Sequence, residues 1–161
     1  MAQGEPSRRA RTPLGALRDA GSVAETVGSL LGAQALVALV PMRVWRQWFE
    51  IGTQGEAANG LPDRIVARGV GLGRQVDRVA DAFPWTIKCL PRALAASAML
   101  SRRHIGSHLV IGARRAGGTG SVELHAWLTL AGACIVGRAE RETYRAFVSA
   151  NDALSAQDVG N

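Results

Sequence analysis

Two residues in this chain have types and positions suited to covalent chemistry. Cys89 stands just before Pro91, at the head of the run Leu90 to Leu100, which is rich in Ala and Leu and has no β-branched residue. Such a run is strongly helix-forming. A proline just inside a helix start is tolerated, because its missing N–H would be unpaired there anyway. A thiol at a helix start feels the partial positive charge of that end, which favours the nucleophilic thiolate, and Lys88 next door adds a full charge. His125 falls within Val122 to Leu130, where Val122, Leu124, Ala126, Leu128 and Leu130 recur with period two. That is the pattern of a half-buried strand, and it puts His125 on the face opposite Leu124, Ala126 and Leu128. A cysteine at a helix start facing a histidine on a strand is a nucleophile and base for acyl transfer: the imidazole takes the thiol proton, the sulfur attacks a carbonyl, and the imidazolium protonates the leaving group.

The other reactive side chains read differently. Cys134 lies in a short apolar strand and reads as core, while His104 and His108 flank Gly106 and read as loop or surface residues. No pair has CxxC or helical HxxxH spacing, so no metal site and no cofactor is expected. Gly69, Gly71 and Gly73 do not make a phosphate loop, since no strand precedes them and the GxGxxG spacing is absent. Trp127 shares the His125 face, where it either walls a site or packs a core. Arg92, one turn into the Cys89 helix, either reaches a carboxylate of the helical half, such as Asp77 or Asp81, or helps the site.

The elements that must position this pair follow from the rest of the pattern. The chain has 161 residues with 19 basic and 13 acidic side chains, a net charge of +6, and 18 of the bases are Arg. This size and composition suit one globular domain with an appendage. Two cysteines are too few for a disulfide framework. Residues 1–20, polar and basic, read as a disordered arm. Ser22 with Glu25 three residues on resembles a capping box opening a helix from about Val23 to Val40. Its apolar part, Val27 to Val40, is shorter than the roughly 20 residues of a bilayer span, so no membrane span is expected. Pro41 lets a second helix begin, carrying Val44, Trp45, Trp48 and Phe49, before a loop at 52–60. Pro62 and Asp63 open a helix striped with Ile65, Val66, Val70, Leu72, Val76 and Val79, with Arg64, Arg68, Arg74 and Arg78 largely off the stripe. Three strands follow the Cys89 helix, at Leu109 to Ile111, Val122 to Leu130 and Ala133 to Val136, then a helix from Glu140 to Ala150. Helices followed by an antiparallel meander make an α+β chain, divided as arm 1–20, helical part 21–83 and core 84–161.

Three segments together resemble a known family: Cys89-Leu90-Pro91-Arg92-Ala93-Leu94, Leu109-Val110-Ile111-Gly112-Ala113-Arg114 and His125-Ala126-Trp127-Leu128. Their order and spacing are similar to those of the lasso-peptide biosynthesis B2 proteins, leader peptidases with a papain-like, transglutaminase-like core. The likeness is close from about Pro84 to Phe147 and only general before that. It implies a nucleophile helix packed on a short antiparallel sheet, and a cytoplasmic cysteine peptidase that removes the leader from a ribosomally made precursor. Cys89 would be the nucleophile and His125 the base. Leu90, Trp85 and Trp127 would line the site, with a backbone N–H at or beside Cys89 as oxyanion donor. The implied partners are the precursor peptide, a separate leader-recognition protein and an asparagine-synthetase-like cyclase. No winged-helix pattern precedes the core, which fits a stand-alone form.

The family's third catalytic residue is an acid about a dozen positions after the histidine, and Gly137 stands there in this chain. Glu140 is the first candidate to replace it, Glu123 another, and a backbone carbonyl orienting His125 a third. The missing acid motivates an alternative, a catalytically weak scaffold in the same maturation complex. A basic protein that binds nucleic acid or a membrane surface is the remaining alternative, resting on charge and the apolar helix alone; the scattered bases lack aromatic interleaving, so no nucleic-acid partner is expected.

Overall fold

The computed structural model describes residues 13–45, 61–115, 121–138 and 143–146. Helix α1 runs Pro13–Leu39, α2 Met42–Trp45, α3 Asp63–Asp81 and α4 Cys89–Ser101. Strands β1 (His108–Arg115), β2 (Val122–Leu130), β3 (Ala133–Val136) and β4 (Arg145–Ala146) form an antiparallel sheet in the order β3-β2-β1-β4. The fold is α+β, as the pattern implies.

Three expectations change. Helix α1 begins at Pro13, within the segment read as an arm. The capping-box reading of Ser22 fails because Ser22 sits inside α1, and its polar groups are used between helices. The Gln75 amide donates to the Ser22 carbonyl, the Ser22 hydroxyl and the Thr26 hydroxyl, each at 2.8 Å, while the Thr26 hydroxyl donates to the Ser22 carbonyl. Arg145 and Ala146, expected within a final helix, instead pair with Ala113 and Gly112 at the edge of β1. Trp48, Phe49 and the loop expected at 52–60 lie outside the described residues.

Helices α1, α3 and α4 share one core with one face of the sheet. Leu30, Val76, Ile87, Leu94, Met99, Leu100, Leu109, Leu128 and Leu130 are almost fully buried there. Each such side chain contributes about 1.5–3 kcal/mol of hydrophobic stabilisation. The glycines of α3 have a packing reason. Gly69, Gly73, Val76 and Ala80 are the buried stripe of this helix. A Cβ on Gly73 would run into the Ile135 backbone carbonyl of β3, and one on Gly69 into the Leu130 side chain. Helix and strand thus touch backbone to backbone, which larger residues would prevent. The α3 arginines Arg64, Arg68, Arg74 and Arg78 are exposed.

One turn on from Ser22, Glu25 meets the two arginines that follow α4. Its carboxylate lies 2.6 Å from the Arg103 guanidinium and 3.4 Å from that of Arg102. Hydrogen bonding to Arg103, opposed by partial burial, holds the Glu25 carboxyl below its ordinary pKa. The segment Ala20–Leu39 is 20 residues long with mean hydropathy 1.4, enough by length and composition to cross a membrane, and longer than the apolar run alone suggests. Within the fold it is tied to α3 through Gln75 and to α4 through Glu25.

Candidate active site

The start of α4 is built around Arg92. Lys88, the residue before the helix, has extended backbone and no side-chain cap bond. The Arg92 side chain, one turn on, does the anchoring. Its Nε–H donates to the Ile87 carbonyl at 2.8 Å, one terminal nitrogen lies 2.8 Å from Asp81 and the other 3.6 Å from Asp77. The ion pair with the helical half is therefore present. One guanidinium fixes the chain on the N-terminal side of Cys89 and ties it to the last turns of α3. Burial raises the Asp77 carboxyl above its ordinary pKa, against the pull of Arg92.

Cys89 is the first residue of α4, a free thiol, half-buried at the margin of the main core. Pro91 is buried in the first turn and Leu90 is half-buried beside Cys89. Trp85 is half exposed and meets Phe83 edge-on at 5.1 Å between ring centres.

His125 lies on β2 opposite Gly112 of β1. Ala126 and Leu128 belong to the main core, and Trp127 to a second, smaller one with Val110 and Cys134, against which Tyr144 and Ala146 pack. His125 alternates onto the Trp127 face. Its ring stacks on Trp127 at 5.9 Å and on Tyr144 at 5.0 Å, with planes 26° and 28° apart. Its Nε2 lies 3.0 Å from the carbonyl oxygen of Gly137. Gly112 makes room for the pair, since a Cβ there would come within 2.8 Å of the Trp127 ring. Cys134 is buried, its thiol donating to the Val136 carbonyl at 3.3 Å, in keeping with a core role.

The chain matches the transglutaminase-like superfamily over residues 35–149. It belongs to that superfamily. The transglutaminase-like domain carries the papain-like cysteine-protease fold, and both Cys89 and His125 fall inside the matched span. Comparison with curated proteins and with solved structures returns no match.

Within this transglutaminase-like domain the three motif segments become neighbours. The β1 and β2 segments pair residue for residue, Val110 with Trp127, Ile111 with Ala126 and Gly112 with His125, and α4 packs on both strands. The structure brings His125, Trp127 and the Gly137 carbonyl together. It joins Cys89 and His125 by no hydrogen bond among the described residues. Glu123 is engaged elsewhere, 2.7 Å from Arg114 and 3.4 Å from the Tyr144 hydroxyl. Glu140 lies outside the described residues. Sequence reasoning missed Tyr144 and Arg114. Arg114 ends the β1 motif, and its guanidinium sits 4.7 Å over the Tyr144 ring. A lone tyrosine just before a two-residue strand leaves no periodic signal. Among the described residues no group of three or more His, Cys, Asp or Glu side chains could hold a metal ion.

Proposed function

We propose that this transglutaminase-like protein is a cysteine peptidase that cuts the leader from a ribosomally made lasso-peptide precursor. The observation that carries the reading is the meeting of three motifs that are far apart in sequence. The Cys-Leu-Pro-Arg segment opens α4, and the Leu-Val-Ile-Gly-Ala-Arg and His-Ala-Trp segments pair as β1 and β2 beneath it. Each has a position-specific job. Arg92 anchors the helix start, Gly112 admits the Trp127 ring, and Trp127 backs His125.

In the proposed reaction the Cys89 sulfur gives its proton to His125 and attacks the scissile carbonyl carbon. The tetrahedral oxyanion collapses to a thioester as the amine leaves with the proton from His125. Water, deprotonated by His125, then hydrolyses the thioester and frees the thiol. A backbone N–H at the α4 start is the expected oxyanion donor. Catalytic hydrogen bonds often close only when substrate binds, so the Cys89–His125 contact is assigned to the substrate complex. The partners in this reading are the precursor's leader, a separate recognition protein and an asparagine-synthetase-like cyclase that acts on the freed core, with the cytoplasm as the place of reaction.

The test is cleavage of precursor peptide in the presence of the recognition protein, followed by mass spectrometry. Wild type should cut, and Cys89→Ala should fall to background while binding its partner normally. Cleavage surviving in Cys89→Ala overturns the reading. A second reading, a non-catalytic scaffold in the same complex, draws on the missing bond between Cys89 and His125. Wild-type protein that binds the recognition protein but never cuts would select it.

A further inference from the structure

Among the described residues, the hydrogen-bond partner that orients His125 is a backbone carbonyl and not an acid. We infer that the Gly137 carbonyl and the Tyr144 ring are the positioning groups that set His125, leaving Nδ1 as its basic nitrogen. The inference rests on the peptidase reading for the role of that nitrogen.

The argument starts from valence. A carbonyl oxygen can only accept a hydrogen bond, so the imidazole nitrogen 3.0 Å from Gly137 must carry the proton. In the neutral ring that proton is on Nε2 and the lone pair is on Nδ1. The base that takes a thiol proton is then Nδ1, and Nε2 is committed to the backbone.

The position that holds the carbonyl also explains why no acid stands there. Gly137 has φ +77°, where side chains are disfavoured. A Cβ at this residue would lie 2.7 Å from the Ala126 carbonyl oxygen and 2.9 Å from the Trp127 Cβ. The close approach of the β3 end to β2 brings the carbonyl to His125, and the same approach excludes an Asp side chain. An acid at 137 and this carbonyl contact are alternatives, and the chain has the second.

One hydrogen bond leaves the ring free to rotate about it, and stacking removes that freedom. Trp127 is fully buried behind His125, and Tyr144, the residue before β4, is stacked on it. Tyr144 is itself held. The Arg114 guanidinium lies over its ring, the Tyr144 hydroxyl donates to Glu123 at 3.4 Å, and Arg114 bonds both Glu123 and the Thr143 hydroxyl. Among the described residues, the arrangement fixes the plane and tautomer of the histidine through a neutral carbonyl and two aromatic rings.

The experiment uses the full chain with nitrogen-15-labelled histidine, its His125 signals assigned by their loss in His125→Gln. Long-range proton–nitrogen correlation should show the neutral His125 ring in the Nε2–H form. Tyr144→Phe, which keeps the ring and loses only the hydroxyl contact to Glu123, should keep that signature and lose less kcat than Tyr144→Leu. Tyr144→Leu, with unchanged circular dichroism, should give tautomer averaging and a kcat loss on the order of 10- to 100-fold at nearly constant KM, the scale expected of a misplaced catalytic group. A wild-type ring protonated on Nδ1, or a Tyr144→Leu variant with unchanged spectrum and kcat, overturns the inference. The spectrum needs no turnover, so failure of the peptidase reading, seen as wild type that never cuts, is separable from failure of the orientation.

Discussion

The start of α4 is held by charge, with Arg92 spanning Asp77, Asp81 and the Ile87 carbonyl, whereas His125 is held by a neutral carbonyl and two aromatic rings. The first mount belongs to the helical half and couples Cys89 to α3. The second belongs to the sheet and depends on glycines that let rings and strands come close. Ionic anchoring tolerates small shifts, since a guanidinium can follow its carboxylates. Packing around Gly112 and Gly137 does not, because backbone and ring atoms already fill the space a Cβ would need. The two halves of the proposed site should therefore fail in different ways.

The largest effect is expected on the sheet side. Trp127→Ala should lower stability by about 3–5 kcal/mol, the usual cost of emptying a core aromatic site. Denaturant unfolding measures it, and a loss under 1 kcal/mol would mean the second core is not a structural unit. On the helix side, Arg92→Met should cost about 1–3 kcal/mol, because it leaves the Ile87 carbonyl and the half-buried Asp77 without their donor. Arg92→Lys should recover only part of this, since one ammonium cannot span three acceptors. Full recovery by lysine would show that charge alone, without geometry, fixes the α4 start.

The smallest effects are pH-dependent and opposite in sign. Glu25 has its carboxyl lowered, so its contribution is present above the ordinary carboxylate pKa and is lost as pH falls through the depressed value. Glu25→Gln should cost at most about 1 kcal/mol at neutral pH and nothing in acid. Asp77 has its carboxyl raised, so the folded state binds the proton more tightly and stability falls as pH rises between the ordinary and the raised value. Asp77→Asn should flatten that slope. Melting temperatures of both variants across pH 3 to 7 check the signs, and parallel curves would refute them.

The sequence made one mount more legible than the other. Cys89 at a helix start follows from residue type and helical spacing, because helix positions are set locally; the pairing of Arg92 with Asp77 and Asp81 joins two helices, and the sequence offers it only as one of two roles for that residue. The period-two run put His125 and Trp127 on one face and Ala126 and Leu128 on the other. The Gly137 contact was open among three alternatives, since a backbone carbonyl has no sequence signature. Ser22 and Glu25 looked like a helix start because a capping box and two inter-helix contacts use the same residue types. Only tertiary partners, Gln75 and Arg103, separate the two. Strand β4 was hidden because two residues show no period, and its pairing to Gly112 and Ala113 is decided by the edge it meets.

The backbone contact between Gly73 and Ile135 also bears on how the chain folds. It joins residues far apart in sequence and needs β3 already paired and α3 already formed, so it closes late, after the local helices and the β1–β2 hairpin. Until it closes, the sheet face meant for α3 is open to solvent. A bulky residue at position 73 should therefore lengthen the life of a half-assembled chain with that surface exposed, and the yield of refolded protein should fall more than its final stability does.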